Sequence, residues 1–97
     1  MTLNRNRFPA IVAKVLSSDR VVINRGTRDG VAVGQRFVLY SLDPDVIVDP
    51  STGVELGRLE IPKGDGGVSS VQEEMAIVFN EVGYFSDPKV GDLAKPI

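Results

Sequence analysis

Residues 21–37 read Val21-Val22-Ile23-Asn24-Arg25-Gly26-Thr27-Arg28-Asp29-Gly30-Val31-Ala32-Val33-Gly34-Gln35-Arg36-Phe37, and this stretch decides the fold class. A β-branched run enters a polar loop with glycines at every fourth position, and a second apolar run leaves it. The pattern predicts a strand, a wide turn and another strand. Glycine reaches positive φ at little steric cost, so we expect Gly26 or Gly30 to hold it, with Gly34 as a further turn residue. Val31 and Val33 are expected to fold back onto the core.

The same glycines leave a phosphate-binding loop as a minor alternative. Their spacing is Gly-x-x-x-Gly-x-x-x-Gly, whereas dinucleotide-binding loops carry Gly-x-Gly-x-x-Gly and P-loops end in Gly-Lys-Ser/Thr. No helical pattern opens after Gly34, so the loop lacks the aligned N–H groups of a helix N-terminus. A structural turn is therefore the favoured interpretation.

Short strands separated by turns are predicted along most of the chain. The apolar runs 8–16 and 21–23 are joined by four polar residues, which predicts a hairpin. Residues 36–42 form the next strand, and residues 46–48 either resume it or begin another. The glycine-rich segment 62–67 predicts a loop. Further strands are expected at 68–71, 75–79 and 92–95, the last of them after a flexible stretch.

A strong turn signal divides the middle of the chain. Residues 49–53 read DPSTG, in which Pro50 pre-sets φ and Gly53 closes the bend. The apolar residues of the following run, 54–61, change from even to odd positions. Such a slip in a period-two pattern predicts a β-bulge, which we place at Gly57.

The segment 70–79 fits two interpretations. Ser70 and Glu73 have the spacing of a helical capping box, and Val71, Met75 and Val78 fit a helical face. The apolar run within it is short, however, and all its neighbours resemble strands. We therefore favour two strands joined by a tight turn near residues 73–74, and a helix stays open as the alternative.

Composition limits the chemistry of the chain. Its 97 residues are expected to form one domain over 1–97, with 1–6 a candidate for disorder. There is no cysteine and no histidine, which removes disulfides, thiolate nucleophiles and the commonest general base and metal ligand. No apolar run approaches the ~20 residues of a membrane-spanning helix, so no membrane insertion is expected.

The N-terminal residues lack the apolar segment of a signal peptide, and the compartment is left open. A periplasmic or cell-envelope origin would fit if the chain were cut from a longer protein. Many short strands with Gly/Pro turns predict an all-β fold, a small antiparallel barrel or sandwich of six to seven short strands with at most one short helical turn.

Three motifs carry a resemblance to a known family. They are VVINRG at residues 21–26, DGVAVGQRF at 29–37 and DPSTGVELG at 49–57. In these the chain resembles the C-terminal domain of the flagellar assembly protein T and related uncharacterised bacterial β-domains. The resemblance implies a small bacterial β-barrel that acts as a protein-interaction or assembly module, with no catalytic residues.

Motifs for catalysis or metal binding are incomplete. Asp43, Asp45 and Asp49 begin like a calcium loop, but an apolar residue occupies the third ligand position, so turn-capping aspartates are favoured. Asp87 and Asp92 are interpreted as solvated turn carboxylates. No Gly-x-Ser-x-Gly motif and no histidine partner for a serine occur. We therefore expect no enzyme activity, no cofactor and no metal.

Charge is distributed unevenly along the chain. Residues 1–36 hold seven basic and two acidic residues, a net +5, whereas residues 37–97 hold four and eleven, a net −7. This asymmetry suggests a charged partner or head-to-tail association, although a mixed solvated surface is an equally weighted alternative. The candidate interaction surface joins Arg25 and Arg28 to Asp43, Asp45 and Asp49, since both segments project charge from turns.

Two functions of different classes follow from these observations. The first is a non-catalytic module that binds a protein of unknown identity or a second copy of itself. The alternative is a nucleic-acid-binding small barrel, which an acidic pI near 5.0 and sparse aromatic residues make less favourable. The alternative would use the arginines of the first third, Arg5, Arg7, Arg25, Arg28 and Arg36.

Overall fold

The computed structural model describes residues 2–97 and contains six antiparallel strands with almost no helix. The strands are β1 (Ala10–Ser17), β2 (Arg20–Ile23), β3 (Arg36–Val48), β4 (Glu55–Val71), β5 (Ala76–Phe79) and β6 (Leu93–Pro96). The only helical segments in this range are the 3₁₀ turns Arg5–Arg7 and Thr27–Asp29. The predicted all-β fold class is confirmed.

The strands form one sheet that closes on itself into a six-stranded ring. Their order is β1-β2-β5-β4-β3-β6, and β6 pairs with both β3 and β1. A single closed sheet corresponds to the barrel alternative and not to two packed sheets. Closure pairs the strand edges within the ring, and exposed edges would otherwise be available to other chains.

Apolar side chains fill the inside of the ring. In β2 and β5 the buried residues alternate with less buried ones, as period-two geometry requires of strands with one face on a core. The Phe8 ring packs on Phe37, with centroids 5.6 Å apart. The largest fully buried side chains are Val12, Val21, Ile23, Phe37, Leu39 and Val78.

Two strands are much longer than predicted. β3 has 13 residues and β4 has 17, so these two of the six strands are longer than the short strands predicted. Residues 43–45 do not end β3. Leu42 faces Glu60 and Val46 faces Arg58, which leaves three residues of β3 against one of β4 in a bulge. A bulge can absorb Pro44, which has no N–H to donate to the ladder.

The predicted loop at residues 62–67 is also wrong, because β4 runs through it without a break. The glycines there are needed for backbone conformation and close approach. Gly64 has φ +124° beside a register shift, and a Cβ on Gly66 would overlap the carbonyl of Phe79. The bulge predicted at Gly57 is confirmed by a register shift and by a φ of +114°.

The segment 70–79 forms two strands joined by a turn, as predicted. β4 ends at Val71 and β5 begins at Ala76. In the turn between them, the N–H of Gln72 donates to the carbonyl of Met75 at 2.8 Å. The helix alternative does not hold.

The glycine loop before β3 agrees with the sequence prediction in part. Gly30 has φ +85° and Gly34 has φ +91°, whereas Gly26 is extended with φ −142°. Gly26 is nevertheless constrained, since a Cβ there would overlap the carbonyl of Gln72. Val31 is buried as expected, but Val33 is 65% exposed, so its predicted burial is wrong.

We expect Gly26→Ala and Gly30→Ala each to lower the free energy of unfolding by more than the ~1 kcal/mol of an ordinary Gly-to-Ala effect. At Gly26 the loss of stability comes from overlap of the added Cβ with backbone atoms. At Gly30 the same overlap is combined with the strain of a side chain at positive φ. Urea denaturation measures both. Gly83→Ala is the matched control, because no atom lies within 4 Å of its added Cβ. Equal stability of all three variants would contradict this prediction.

Candidate functional site

The most prominent surface feature is a β-hairpin that projects from the ring. β3 pairs with β6 only from Phe37 to Tyr40, and β4 pairs with β5 only from Gly67 onward. Beyond Tyr40 the two strands pair only with each other. We call residues 41–61 the arm. The molecule measures 47 × 28 × 19 Å, an elongation that agrees with such a projection.

The arm exposes an unusual amount of apolar side chain. Sixteen large hydrophobic residues are exposed among residues 2–97, and half of them lie in these 21 positions. Leu56 is 66% exposed and Leu59 is 59% exposed. Single exposed apolar residues are common on proteins, but a contiguous group marks a binding surface. The other exposed members are Leu42, Val46, Ile47, Val48, Val54 and Ile61.

Both faces of the arm carry this apolar surface. Residues that face each other across an antiparallel pair lie on the same side of the sheet. Val46 faces Arg58, and Ile47 faces Gly57, so neighbouring apolar residues of β3 point to opposite sides. The arm has no core of its own and offers apolar contacts on two sides.

The tip of the arm is a rigid turn. The Asp49 carboxylate accepts hydrogen bonds from the N–H and hydroxyl of Ser51, at 2.8 and 2.7 Å. The hydroxyl of Ser51 is the main cause that lowers the pKa of Asp49, followed by its N–H. The N–H of Gly53 donates to the Asp49 carbonyl at 2.8 Å, and Gly53 has φ +74°. Gly53 therefore closes the bend after Pro50, as predicted. These hydrogen bonds fix the backbone conformation of the tip.

Polar contacts fix the base of the arm to the ring. Lys95 of β6 forms an ion pair with Glu60 of the arm, and its ammonium lies 4.8 Å from the centre of the Tyr40 ring. The hydrogen bond from Lys95 to Glu60 raises the pKa of Lys95. Burial is the main cause that raises the pKa of Tyr40, and the negative charge of Glu60 is the next.

The predicted interaction surface is divided between two distant places. Asp43, Asp45 and Asp49 lie on the arm, whereas Arg25 and Arg28 lie in the loop beside the end of β4 at Val71. The N–H of the neighbouring residue Thr27 donates to the carbonyl of Gln72. The two groups of charges thus lie at opposite ends of β4, and the structure does not bring them together.

Both arginines of the loop already have partners. The Arg25 guanidinium donates to the carbonyls of Arg7 and Asn24, at 2.6 and 2.9 Å. Arg28 forms ion pairs with Glu73 and with Glu74. These contacts stabilise the loop, so its arginines are less available to a partner than the sequence suggested.

An apolar groove of about 150 Å³ opens on the outer surface of the ring near the C-terminal end of β4. Its apolar lining comes from Leu16, Val22, Met75, Ala76 and Ile77, and its polar lining comes from Ser70 and Gln72. Leu16 and Met75 are about half exposed. The groove was not predicted, because it joins the β1–β2 hairpin to the β4–β5 hairpin, which are distant from each other in sequence.

Two buried carboxylates were also missed. Asp29 accepts hydrogen bonds from the N–H of Gly26 at 3.1 Å and from Arg7 at 2.8 Å. Asp92 was interpreted as solvated, but it is 6% exposed and binds the ammonium of Lys63 at 2.8 Å. Lys63 is itself nearly buried, so this pair ties β4 to the segment before β6. Both aspartates are structural, since hydrogen bonds occupy their oxygens.

Within residues 2–97, no cluster of three or more Asp or Glu residues is placed to hold a metal ion. No helix in that range is long and apolar enough to cross a membrane. Among residues 2–97, the arm carries half of the exposed large apolar side chains.

No protein-family model matches the chain, and no curated protein matches it. The resemblance to the C-terminal domain of the flagellar assembly protein T therefore stays a prediction.

We expect Asp29→Asn to reduce stability at neutral pH, with a difference from wild type that shrinks as the pH falls. Burial alone would raise the pKa of Asp29, but hydrogen bonds from Gly26 and Arg7 outweigh it and hold the pKa below its usual 3.8. A lowered pKa stabilises the fold above the unfolded-state pKa, and this contribution is lost as pH falls through the folded-state value. Urea denaturation between pH 7 and pH 2.5 measures it.

The matched control for this experiment is Asp45→Asn, because that carboxylate is exposed on the arm. Its stability should follow wild type across the pH range. A constant difference between Asp29→Asn and wild type from pH 7 to pH 2.5 would contradict the assignment.

Proposed function

We propose that this chain is a non-catalytic protein-interaction or assembly module of a bacterial protein, and that the arm is its contact element. The observation that carries the proposal is the concentration of exposed apolar side chains on a hairpin that projects from a closed ring. Projecting loops and hairpins on a rigid scaffold are common places for binding. The resemblance to bacterial assembly domains is consistent with this role.

Energetics favour a partner on the arm. An isolated two-stranded hairpin is only marginally stable in water, and further strands or packing are needed to stabilise it. Covering a half-exposed leucine, valine or isoleucine is worth about 1 kcal/mol. The arm has eight such side chains, so their burial would supply a useful part of a binding free energy.

The edges of the arm offer a second source of binding. Outside the ring, β3 and β4 each have one edge with no neighbouring strand in the described range. An extended segment of a partner could add to such an edge through backbone hydrogen bonds, while the apolar side chains on the two faces would give specificity.

The nucleic-acid alternative receives less support. Of its five arginines, Arg7, Arg28 and Arg36 form ion pairs with carboxylates. Arg36 pairs with both Asp65 and Glu81, and Glu81 is the main cause that raises the Arg36 pKa. A phosphate would have to displace these carboxylates before it could bind.

Replacing Leu56 and Leu59 together by threonine should weaken partner binding at least tenfold without unfolding the ring. Threonine keeps a high strand propensity while it removes apolar surface. Exposed substitutions of this kind change stability by only about 0.5 kcal/mol. The measurement is affinity capture from a lysate of the source organism with wild-type and variant protein as bait.

The matched control for capture is Val82→Thr combined with Val90→Thr. These valines are 86% and 66% exposed, and they lie outside the arm. A partner retained by the control and lost by the arm variant would support the proposal. Capture that is insensitive to the arm variant, or turnover of a small molecule by the purified chain, would contradict it.

Binding to nucleic acid is expected to be weak, with a Kd above the micromolar range at physiological salt. The carboxylates paired with the arginines and the net charge of −2 both oppose phosphate contacts. Fluorescence anisotropy with labelled single- and double-stranded oligonucleotides tests this. A sub-micromolar Kd that rises steeply with salt, and that is lost in Arg25→Glu with Arg28→Glu, would favour the alternative function.

A further inference from the structure

The arm and the apolar groove form a pair of surfaces that one molecule cannot bring together. The groove includes Ser70, near the C-terminal end of β4, and the arm contains the N-terminal part of the same strand. Arg58 and Ser70 are twelve residues apart, roughly 40 Å along the strand at 3.3 Å per residue. The arm of a chain therefore cannot reach its own groove.

We propose that the groove of one copy receives apolar side chains from the arm of a second copy, so that the chain associates head to tail. This inference rests on the proposed function and names its partner. The groove volume of about 150 Å³ equals that of an engineered apolar cavity that holds a benzene ring, and one leucine side chain is of similar size. Leu56 and Leu59 are the most exposed leucines of the arm.

The overall charges of the two parts are complementary. The arm has one basic residue, Arg58, and five acidic residues, a net −4. The whole chain has a net charge of −2, so the remainder carries +2. An acidic arm is attracted to the body of another copy and repelled by another arm. The acidic residues are Asp43, Asp45, Asp49, Glu55 and Glu60.

The surroundings of the groove agree with this complementarity. Lys14 faces Val22 across the β1–β2 pair, so it lies on the outer face beside the groove. No ion pair of Lys14 occurs among residues 2–97. Glu73 and Glu74, which precede the groove residue Met75, are paired with Arg28. Arg28 offsets one of these two carboxylate charges, and Lys14 presents a cation beside the groove to an acidic arm.

Head-to-tail contact has a structural consequence. Arm and groove are different surfaces, so each association leaves one arm and one groove unused at the ends. Such heterologous contacts build rings when the rotation between copies closes and open filaments when it does not. An arm-to-arm contact would instead use the same surface twice and stop at two copies.

The test is complementation between two variants that are each defective on one surface. The arm variant is Leu56→Thr with Leu59→Thr, and the groove variant is Leu16→Glu with Met75→Glu. All four positions are exposed, and circular dichroism and urea denaturation check that each variant keeps its fold. Sedimentation velocity from 5 to 500 μM measures the mass of wild type, of each variant and of their equimolar mixture.

We expect the mass of wild type to grow with concentration beyond two chains and each variant to stay monomeric. The mixture should form a dimer and nothing larger, because the intact arm of one variant fits the intact groove of the other. Lys14→Glu should weaken wild-type association at least threefold, and added salt should reduce the effect of that charge reversal.

A groove variant that associates like wild type would overturn the inference in favour of arm-to-arm contact. Wild type that stays monomeric throughout would also overturn it. If wild type stays monomeric but the arm still captures a different protein, the proposed function holds and only the head-to-tail inference fails. If no such capture occurs either, the proposed function fails as well. A mixture that remains monomeric while wild type associates would likewise contradict head-to-tail contact.

Discussion

The continuous ladder between β3 and β4 is the interaction on which the rest of the structure depends. Near Phe37 and Gly66 it forms part of the ring wall, and beyond Tyr40 it forms the arm. The same two hydrogen-bonded strands form both the ring wall and the arm, so the sheet sets the direction of the arm and no flexible hinge intervenes. The ion pair of Lys95 with Glu60 adds a second attachment at the place where the two strands leave the ring.

Glycine makes this continuity possible. β4 must follow the tight curvature of a small ring and then leave it as a hairpin strand. Gly64 and Gly57 take positive φ at two register shifts, and Gly66 allows the backbone of β5 to approach closely. A side chain at these positions would strain or separate the strands, and the arm would lose its fixed relation to the core.

The arm holds apolar side chains that the ring does not cover. The closed sheet buries the apolar side chains of its inner face, whereas those of the arm have no core beside them. The arm places eight such side chains away from the core, while its acidic residues keep it solvated. A second apolar surface, the groove beside Val22 and Met75, lies near the other end of β4. Contact with another chain is the function that we propose for this arrangement.

Local chemistry determined a large part of this protein from sequence alone. The β-branched runs and Gly/Pro turns predicted an all-β fold, the β1–β2 hairpin, the turn at 49–53 and the bulge at Gly57. These features depend on interactions between residues close in the chain, so a local pattern is sufficient for them.

The tertiary structure decided the features that depend on distant neighbours. The glycines of residues 62–67 resemble a loop in sequence, but strand pairing on both sides keeps them in β4. Asp92 looks like a solvated turn residue, yet Lys63, 29 positions earlier, makes it a buried ion-pair partner. The apolar runs of the arm resemble those of ordinary buried strands in sequence, and only the closed ring shows that no core lies beside them. Local sequence encodes conformation, whereas burial, pairing and the distance between charges arise only when the sheet closes.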